Sequence, residues 1–336
     1  MARDFSADNV RIDANIAPCV TRCRFCQVLF RHKASFSMER YSRLVNRFFE
    51  AEGETGLKVH PLVGFSAEMD VEEYAECLNL YRRSGWDLRT ILINGLRYRS
   101  DKEIEAWLLE RKNLGIDSIA LSYIGTGSLH DYWNHKDGHF VYQTNFQRIA
   151  AGVGLSSHEQ LLLMRSALPL MAELLDGLDA IGNASLRRAY PLLYSGMGRN
   201  CEHERISREL LEKQPQRIRD VYGYDRDIWA TEKEWTERVA KGEEYTPHTQ
   251  IWLRVTDANI DSLEKTSCTA IADELIRKTK EVYTTLPSLE ELAEKYSDPT
   301  NEKLYPFIWD MEALWLDRYE KHNPGPRLQR EYTYIR

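Results

Sequence analysis

Short apolar runs alternate with amphipathic stretches over the first two-thirds of the chain. Residues 10–16 and 57–65 read as strands. Val71–Arg83 carries its apolar residues at helical spacing. Residues 89–96 and 116–123 are apolar and β-branched, and read as third and fourth strands. Between them a helix is expected over 101–114, with Asp101 as its N-cap. A helix over 140–152 follows, then a strand or helix start over 160–167, a helix over Met171–Ile181 and a strand over 188–194. Strands alternating with helices predict βαβ units and a mainly parallel sheet. The expected fold class is α/β, a partial (β/α)6, TIM-like barrel over residues 1–225. Its functional groups would sit at the C-terminal ends of the strands.

Beyond residue 200 the pattern changes. Residues 202–219, 227–241, 260–285, 288–296 and 305–322 read as helices, with one further strand at 248–255. Residues 226–336 are expected to form a mostly helical extension that caps the barrel. Its aromatic residues, among them Trp229, Trp235, Trp252, Trp309, Trp315, Tyr319, Tyr332 and Tyr334, fall at core-like spacing. The tail, 323–336, holds Pro324 and Pro326 and reads as an extended wrap. A cap of this kind would exclude water and oxygen.

Composition narrows the function. The 336 residues, 43% hydrophobic, can bury a full core. The formal net charge is −7, which makes nucleic acid an unlikely partner, because a phosphate-tracking protein needs a basic face. No apolar run reaches the roughly 18 residues of a membrane span. The first residues lack the apolar core of a secretion signal, and six cysteines in so long a chain are too sparse for a disulfide framework. The cytoplasm is the expected compartment.

Three of those cysteines crowd together as Cys19-Val-Thr-Arg-Cys23-Arg-Phe-Cys26. Three thiolates on one loop can each ligate a different iron of a [4Fe–4S] cube. The fourth iron then lacks a protein ligand, which leaves room for a substrate or cofactor. The alternative is zinc, with His32 as a fourth ligand. Zinc sites more often pair two knuckles, and no second knuckle follows.

The C-x3-C-x2-C spacing, with Phe25 just before the last cysteine, resembles the signature of the radical S-adenosylmethionine (SAM) superfamily. The resemblance implies that Cys19, Cys23 and Cys26 hold the cluster and that SAM chelates the open iron. Reductive cleavage of SAM would then yield a radical that abstracts hydrogen from a substrate, with a reductant such as flavodoxin or ferredoxin as electron donor. Later segments resemble the family in the right order, over about residues 10–200. Gly64-Phe-Ser-Ala-Glu68 resembles the motif that binds the SAM amino group. Gly64 and Glu68 are its candidates, with Ser66 or Glu72 as substitutes. Asn94-Gly95 and Ser122 resemble the ends of the third and fourth strands. Arg165 could hold the SAM carboxylate by a bidentate pair. Ser195-Gly-Met-Gly-Arg199 resembles the family's glycine loop near the adenosine.

His130-Asp131 followed by Gly138-His-Phe140 resembles a stretch in enzymes that modify peptides. The substrate implied is a peptide or a small biosynthetic intermediate, and an RNA-modifying enzyme of the same superfamily is a further alternative. Relatives of that branch often carry further cysteines for auxiliary clusters. Here only Cys201 and Cys268 follow the sixth strand, too few for a second cluster. Cys201 could return a hydrogen atom to a substrate radical, or be an inert cysteine at a helix start. Cys77 reads as a small core residue.

Overall fold

The computed structural model describes residues 5–17, 19–26, 33–64, 66–221, 229–243 and 250–323. His32, Pro324, Pro326, Tyr332, Tyr334 and the side chain of Ser66 lie outside the described residues, as does the expected boundary at 225.

In chain order the elements are β1 (Asn9–Ala14), α1 (Met38–Glu50), α2 (Glu52–Thr55), β2 (Lys58–Val63), α3 (Val71–Arg83), β3 (Thr90–Leu92) and α4 (Asp101–Asn113). Then come β4 (Ser118–Tyr123), α5 (Gly127–Asn134), α6 (His139–Gly152), β5 (Ser156–Leu163), α7 (Met171–Ile181) and β6 (Ala184–Pro191). The remainder is α8 (Arg208–Glu212), α9 (Gln216–Asp220), α10 (Glu232–Ala240), β7 (Gln250–Val255), α11 (Ile260–Lys265), α12 (Cys268–Thr285), α13 (Leu289–Tyr296) and α14 (Ile308–His322).

All strand pairs are parallel, in two sheets ordered β2-β1-β7 and β3-β4-β5-β6. This is the α/β class the alternation predicts, with no closed barrel among the described residues. Strand β7, from the C-terminal third, lies beside β1 in register from Asn9↔Gln250 to Ala14↔Val255. Alternation sorts the side chains. Val10, Ile12, Ala14, Val59, Val63, Ile251, Leu253 and Val255 are buried together in the main core. Their neighbours Arg11, Asp13, His60, Trp252 and Arg254 point to the opposite face.

Helix α1 escapes the sequence reading. Ser37 caps it through Arg40 N–H, and Met38, Tyr41, Leu44, Val45 and Phe48 form its buried stripe. For α4 the N-cap is Ser100 rather than Asp101: Ser100 and Glu103 make a reciprocal capping box. The helix expected over 260–285 is two, because Thr266 takes an extended conformation and Ser267 caps α12 afresh. No helix among the described residues is long and apolar enough to cross a membrane.

A second apolar cluster joins Tyr194 and Trp235 to residues of α13 and α14, including Leu292, Met311 and Trp315. It packs the C-terminal helices against the chain that follows β6.

Candidate functional site

The cysteine segment leaves the C-terminal end of β1, where parallel α/β sheets place their ligands. Three other loops pin its backbone. Val20 N–H donates to Gly95 C=O after β3 (2.9 Å), and Arg24 N–H to Trp133 C=O in α5 (2.8 Å). Cys26 C=O accepts from Met197 N–H after β6 (2.8 Å). The Arg24 side chain adds an Nε–H bond to Tyr132 C=O and stacks 4.2 Å over the Tyr132 ring. Within the loop Cys26 N–H closes a turn on Cys23 C=O (3.2 Å).

Two of its thiols share one hydroxyl. Cys19 Sγ is 2.9 Å from Thr21 Oγ1, and Cys23 Sγ is 3.6 Å from the same hydroxyl and 3.4 Å from Asn134 Oδ1. Burial pushes the Cys23 thiol up to about 11; Thr21 opposes this, and the nearby Cys19 and Cys26 thiols add to it. Lys136 faces the same group: burial lowers its pKa, against the pull of Cys19, Glu68 and Cys23. Its ammonium donates to Leu96 C=O (2.8 Å) and lies 3.9 Å over the Tyr98 ring.

All six cysteines are thiols rather than disulfides. Among the described residues no set of three or more His, Cys, Asp or Glu side chains is arranged to hold a metal ion. Ligands of a cube sit on separate irons, so they stand further apart than ligands around one ion. In donor chemistry the loop fits a cube: three soft thiols on one pinned segment, coupled through space. Metal binding would deprotonate them, which burial alone opposes at Cys23.

The other candidate residues ring the same strand ends, but several are already engaged. Gly64 follows β2, and a Cβ there would come 2.4 Å from Asn15 Oδ1, so this glycine lets the β1 loop approach. Glu68 is ion-paired with Arg99 (2.8 Å) and accepts from Arg97 N–H, which clamps the loop after β3. Asn94 acts as an extra rung beyond β3: Ser122 N–H donates to its Oδ1 (2.8 Å), and its Nδ2 donates to Ser122 C=O and to Gln143 Oε1 (both 2.9 Å). Ser122 Oγ donates to Gln160 Oε1 (3.1 Å). Arg165 follows β5 with its side chain exposed and its N–H on Glu204 C=O. A Cβ on Gly198 would come 2.5 Å from Leu193 C=O, so this glycine serves its own turn.

Cys201 lies beneath the cysteine loop in an apolar cluster with Ile124, Trp133, Leu162, Met164 and Leu192, against which Phe25 packs. Its Sγ is 3.6 Å from Arg24 C=O and 3.7 Å from Met197 C=O. Burial raises its pKa, so the group stays a thiol. Cys77 is fully buried in α3.

The His130 segment forms a structural knot. Asp131 accepts from Gly138 N–H and Phe140 N–H (both 2.8 Å), which docks the start of α6 onto α5. His130 is fully buried; its Nδ1 accepts from Ile124 N–H (3.3 Å), so its Nε2 carries the proton given to His139 Nδ1 (2.9 Å). His139 Nε2–H then donates to Asn94 C=O (3.2 Å). Burial holds both imidazoles neutral, with His130 far below its usual pKa and His139 down to about 4. Sequence reasoning missed His139, Gln143, Arg99 and Lys136. Only the i, i+4 pair His139 and Gln143 on one face of α6 carried a readable signal.

No family model matches this chain, and no curated protein matches its sequence. Among solved structures it is similar to Streptococcus suis SuiB bound to the precursor peptide SuiA, at 12% identity and a TM-score of 0.47, over 83% of this chain and 65% of that one. In SuiB bound to S-adenosylmethionine the match covers 50% of that chain, so this chain spans between half and two-thirds of SuiB's length. It is also similar to coproporphyrinogen III oxidase HemN of Escherichia coli, described as a radical SAM enzyme, at 9% identity and a TM-score of 0.45, over 94% and 91% of the two chains. A third is anSMEcpe with bound AdoMet and the Cp18Cys peptide, at 11% identity and a TM-score of 0.46, over 94% and 99%.

Proposed function

We propose that this chain is a radical SAM enzyme whose cluster is held by Cys19, Cys23 and Cys26. The observation that carries the reading is the three-thiol loop at the C-terminal end of β1, fixed by hydrogen bonds to the loops after β3 and β6 and to helix α5. A bound [4Fe–4S] cluster with SAM on its open iron supplies one-electron cleavage of SAM, chemistry that belongs to the cofactors.

The chain's own residues position and shield. The apolar cluster of Ile124, Trp133, Leu162, Met164 and Leu192 underlies the loop and keeps water from that side. Lys136 offers a cation beside the cysteine loop that would balance the negative charge of a bound thiolate cluster. We assign SAM contacts to Ser122, Arg165 and the backbone at Gly64. Glu68 and Asn94 act at one remove by fixing the loop after β3. Cys201 supports the Arg24 carbonyl from below, which makes it a positioning residue. The substrate we infer is a peptide or a small biosynthetic intermediate, and the electron donor a small carrier such as flavodoxin or ferredoxin.

Anaerobic reconstitution with iron and sulfide should give a brown protein with about four irons per chain. Added SAM and dithionite should then yield 5′-deoxyadenosine. Replacing Cys19, Cys23 and Cys26 together by Ala should abolish both. Continued 5′-deoxyadenosine formation by that variant, or uptake of zinc in place of iron by the native chain, would overturn the reading.

A further inference from the structure

Strand β6 ends its sheet, with β5 on one side. A strand has two backbone edges, and the second edge of β6 faces no strand. Among the described residues no backbone group other than those of β5 pairs with residues 184–191. A closed barrel leaves no such edge, because its last strand pairs with its first. Here the sheets stop at β6 and at β7. With eight residues β6 is long for an edge strand, and Pro191 at its end is the one residue that has no N–H to offer.

Two arginines lie in the middle of this strand and point to opposite faces. Arg187 is spent on the helix side, where it pairs with Glu159 of β5 and Asp179 of α7. Arg188 is exposed and makes no hydrogen bond or ion pair among the described residues. It stands in register with Gln160 of β5, and Gln160 with Ser122 of β4, so the three share the face turned away from α7. That face leads to the cysteine loop. Two residues beyond Arg188, Tyr190 packs on the apolar cluster against which Phe25 also rests, and past the strand Met197 N–H holds Cys26 C=O.

We propose that β6 is a docking edge for an extended peptide, which adds to the sheet as a further strand and sets a Glu or Asp side chain opposite Arg188. Strand addition draws affinity from main-chain hydrogen bonds and specificity from alternate side chains. Charge decides the occupant. A second copy of β6, pairing antiparallel about its middle, would set an arginine against its own counterpart, and like charges directly opposite are destabilising. An acidic side chain instead meets the uncommitted guanidinium of Arg188 in a charge-assisted pair. Every second side chain of the added strand then faces the side that carries Ser122. Taking this peptide as the substrate rests on the function proposed above, and it selects a peptide over a small biosynthetic intermediate.

Binding can be measured on the full chain without iron. The probe is fluorescently labelled Thr-Val-Thr-Glu-Thr-Val-Thr amide, and a control carries Lys in place of Glu. The Glu probe should bind about fivefold or more tightly than the Lys probe. When bound, it should slow amide hydrogen exchange over residues 184–191, read by mass spectrometry. N-methylation of one alternate set of probe residues should abolish binding and methylation of the other set should be tolerated, because only alternate N–H groups of an added strand face its neighbour. Arg188→Glu, a change at an exposed side chain, should turn the preference to the Lys probe. Equal binding of the two probes, no slowing over β6, an equal effect of the two methylation patterns, or an unchanged preference in Arg188→Glu overturns the proposal. Protection of β6 that rises with the chain's own concentration, without probe, assigns the edge to a second copy and overturns it as well. The readout needs no cluster, so the two readings fail separately. A chain that binds the Glu probe along β6 and takes up no iron sinks the radical SAM reading alone; one that forms 5′-deoxyadenosine and ignores the probe sinks this proposal alone.

Discussion

Asp13 and Glu232 are both buried carboxylates, yet one meets no hydrogen-bond donor and the other meets five. Glu232, at the start of α10, is 0% exposed and accepts from Trp315 Nε1, Asp298 N–H, Asn301 Nδ2 and both terminal nitrogens of Arg318. Nearby, buried Arg205 donates to Leu192 C=O, Leu304 C=O and Glu202, and stacks on Tyr305. The chain after β6 is thereby joined to the C-terminal helices by a dense set of side-chain hydrogen bonds, in which Arg205 Nη2 and Asp310 Oδ2 are left without partners. At the ends of β1 and β7 the backbone is pinned as firmly, but Asp13 keeps its carboxylate uncommitted. A buried polar group surrounded by partners holds elements together, and one left without partners keeps an unrelieved desolvation cost.

The largest effect should come from Glu232→Ala. It strands Arg318 and deprives the donors of four residues of their acceptor at once, and denaturant unfolding should register a loss of about 3–5 kcal/mol. A loss below about 1 kcal/mol would break the contrast, because the hub would then not be holding the helices.

Asp13→Asn tests the other side. The folded pKa of Asp13 is raised to about 7 from an ordinary 3.8, so its contribution to stability is fully present below pH 4 and is lost as pH rises to 7. The variant lacks that decline. Its stability relative to the native chain should climb between pH 4 and 7, by about 4 kcal/mol, and level off above. Asp310, also raised to about 7 by burial, keeps a similar slope in both proteins, and neutral His139, lowered to about 4, contributes the opposite slope in both. A difference that stays flat with pH would mean that Asp13 is already paired.

Gly198→Ala places a Cβ 2.5 Å from the Leu193 carbonyl, a backbone atom that must move. A loss of about 1–3 kcal/mol in thermal unfolding is expected. Because Met197 N–H holds Cys26 C=O, iron uptake should fall with it. Arg165→Ala should change stability least, within about 0.5 kcal/mol, since the side chain is exposed. In the reconstituted protein, calorimetric titration should show SAM affinity reduced by about tenfold, in keeping with loss of a charge-assisted pair. Unchanged affinity would remove Arg165 from the site.

The alternation of strands and helices, the parallel α/β class and the cysteine spacing were legible because each depends on neighbours in sequence. Val71–Arg83 and Met171–Ile181 appear in the structure with the expected bounds for the same reason. Pairing is a different matter. That β7 lies beside β1, that Glu68 is taken by Arg99 and Asn94 by β4, and that His130 hands its proton to His139 all depend on contacts between distant segments. A sequence pattern gives the period of each element and the chemistry of each side chain. Whether a buried carboxylate meets five donors or none is decided only when the chain closes on itself, because burial and partners are properties of the packed whole.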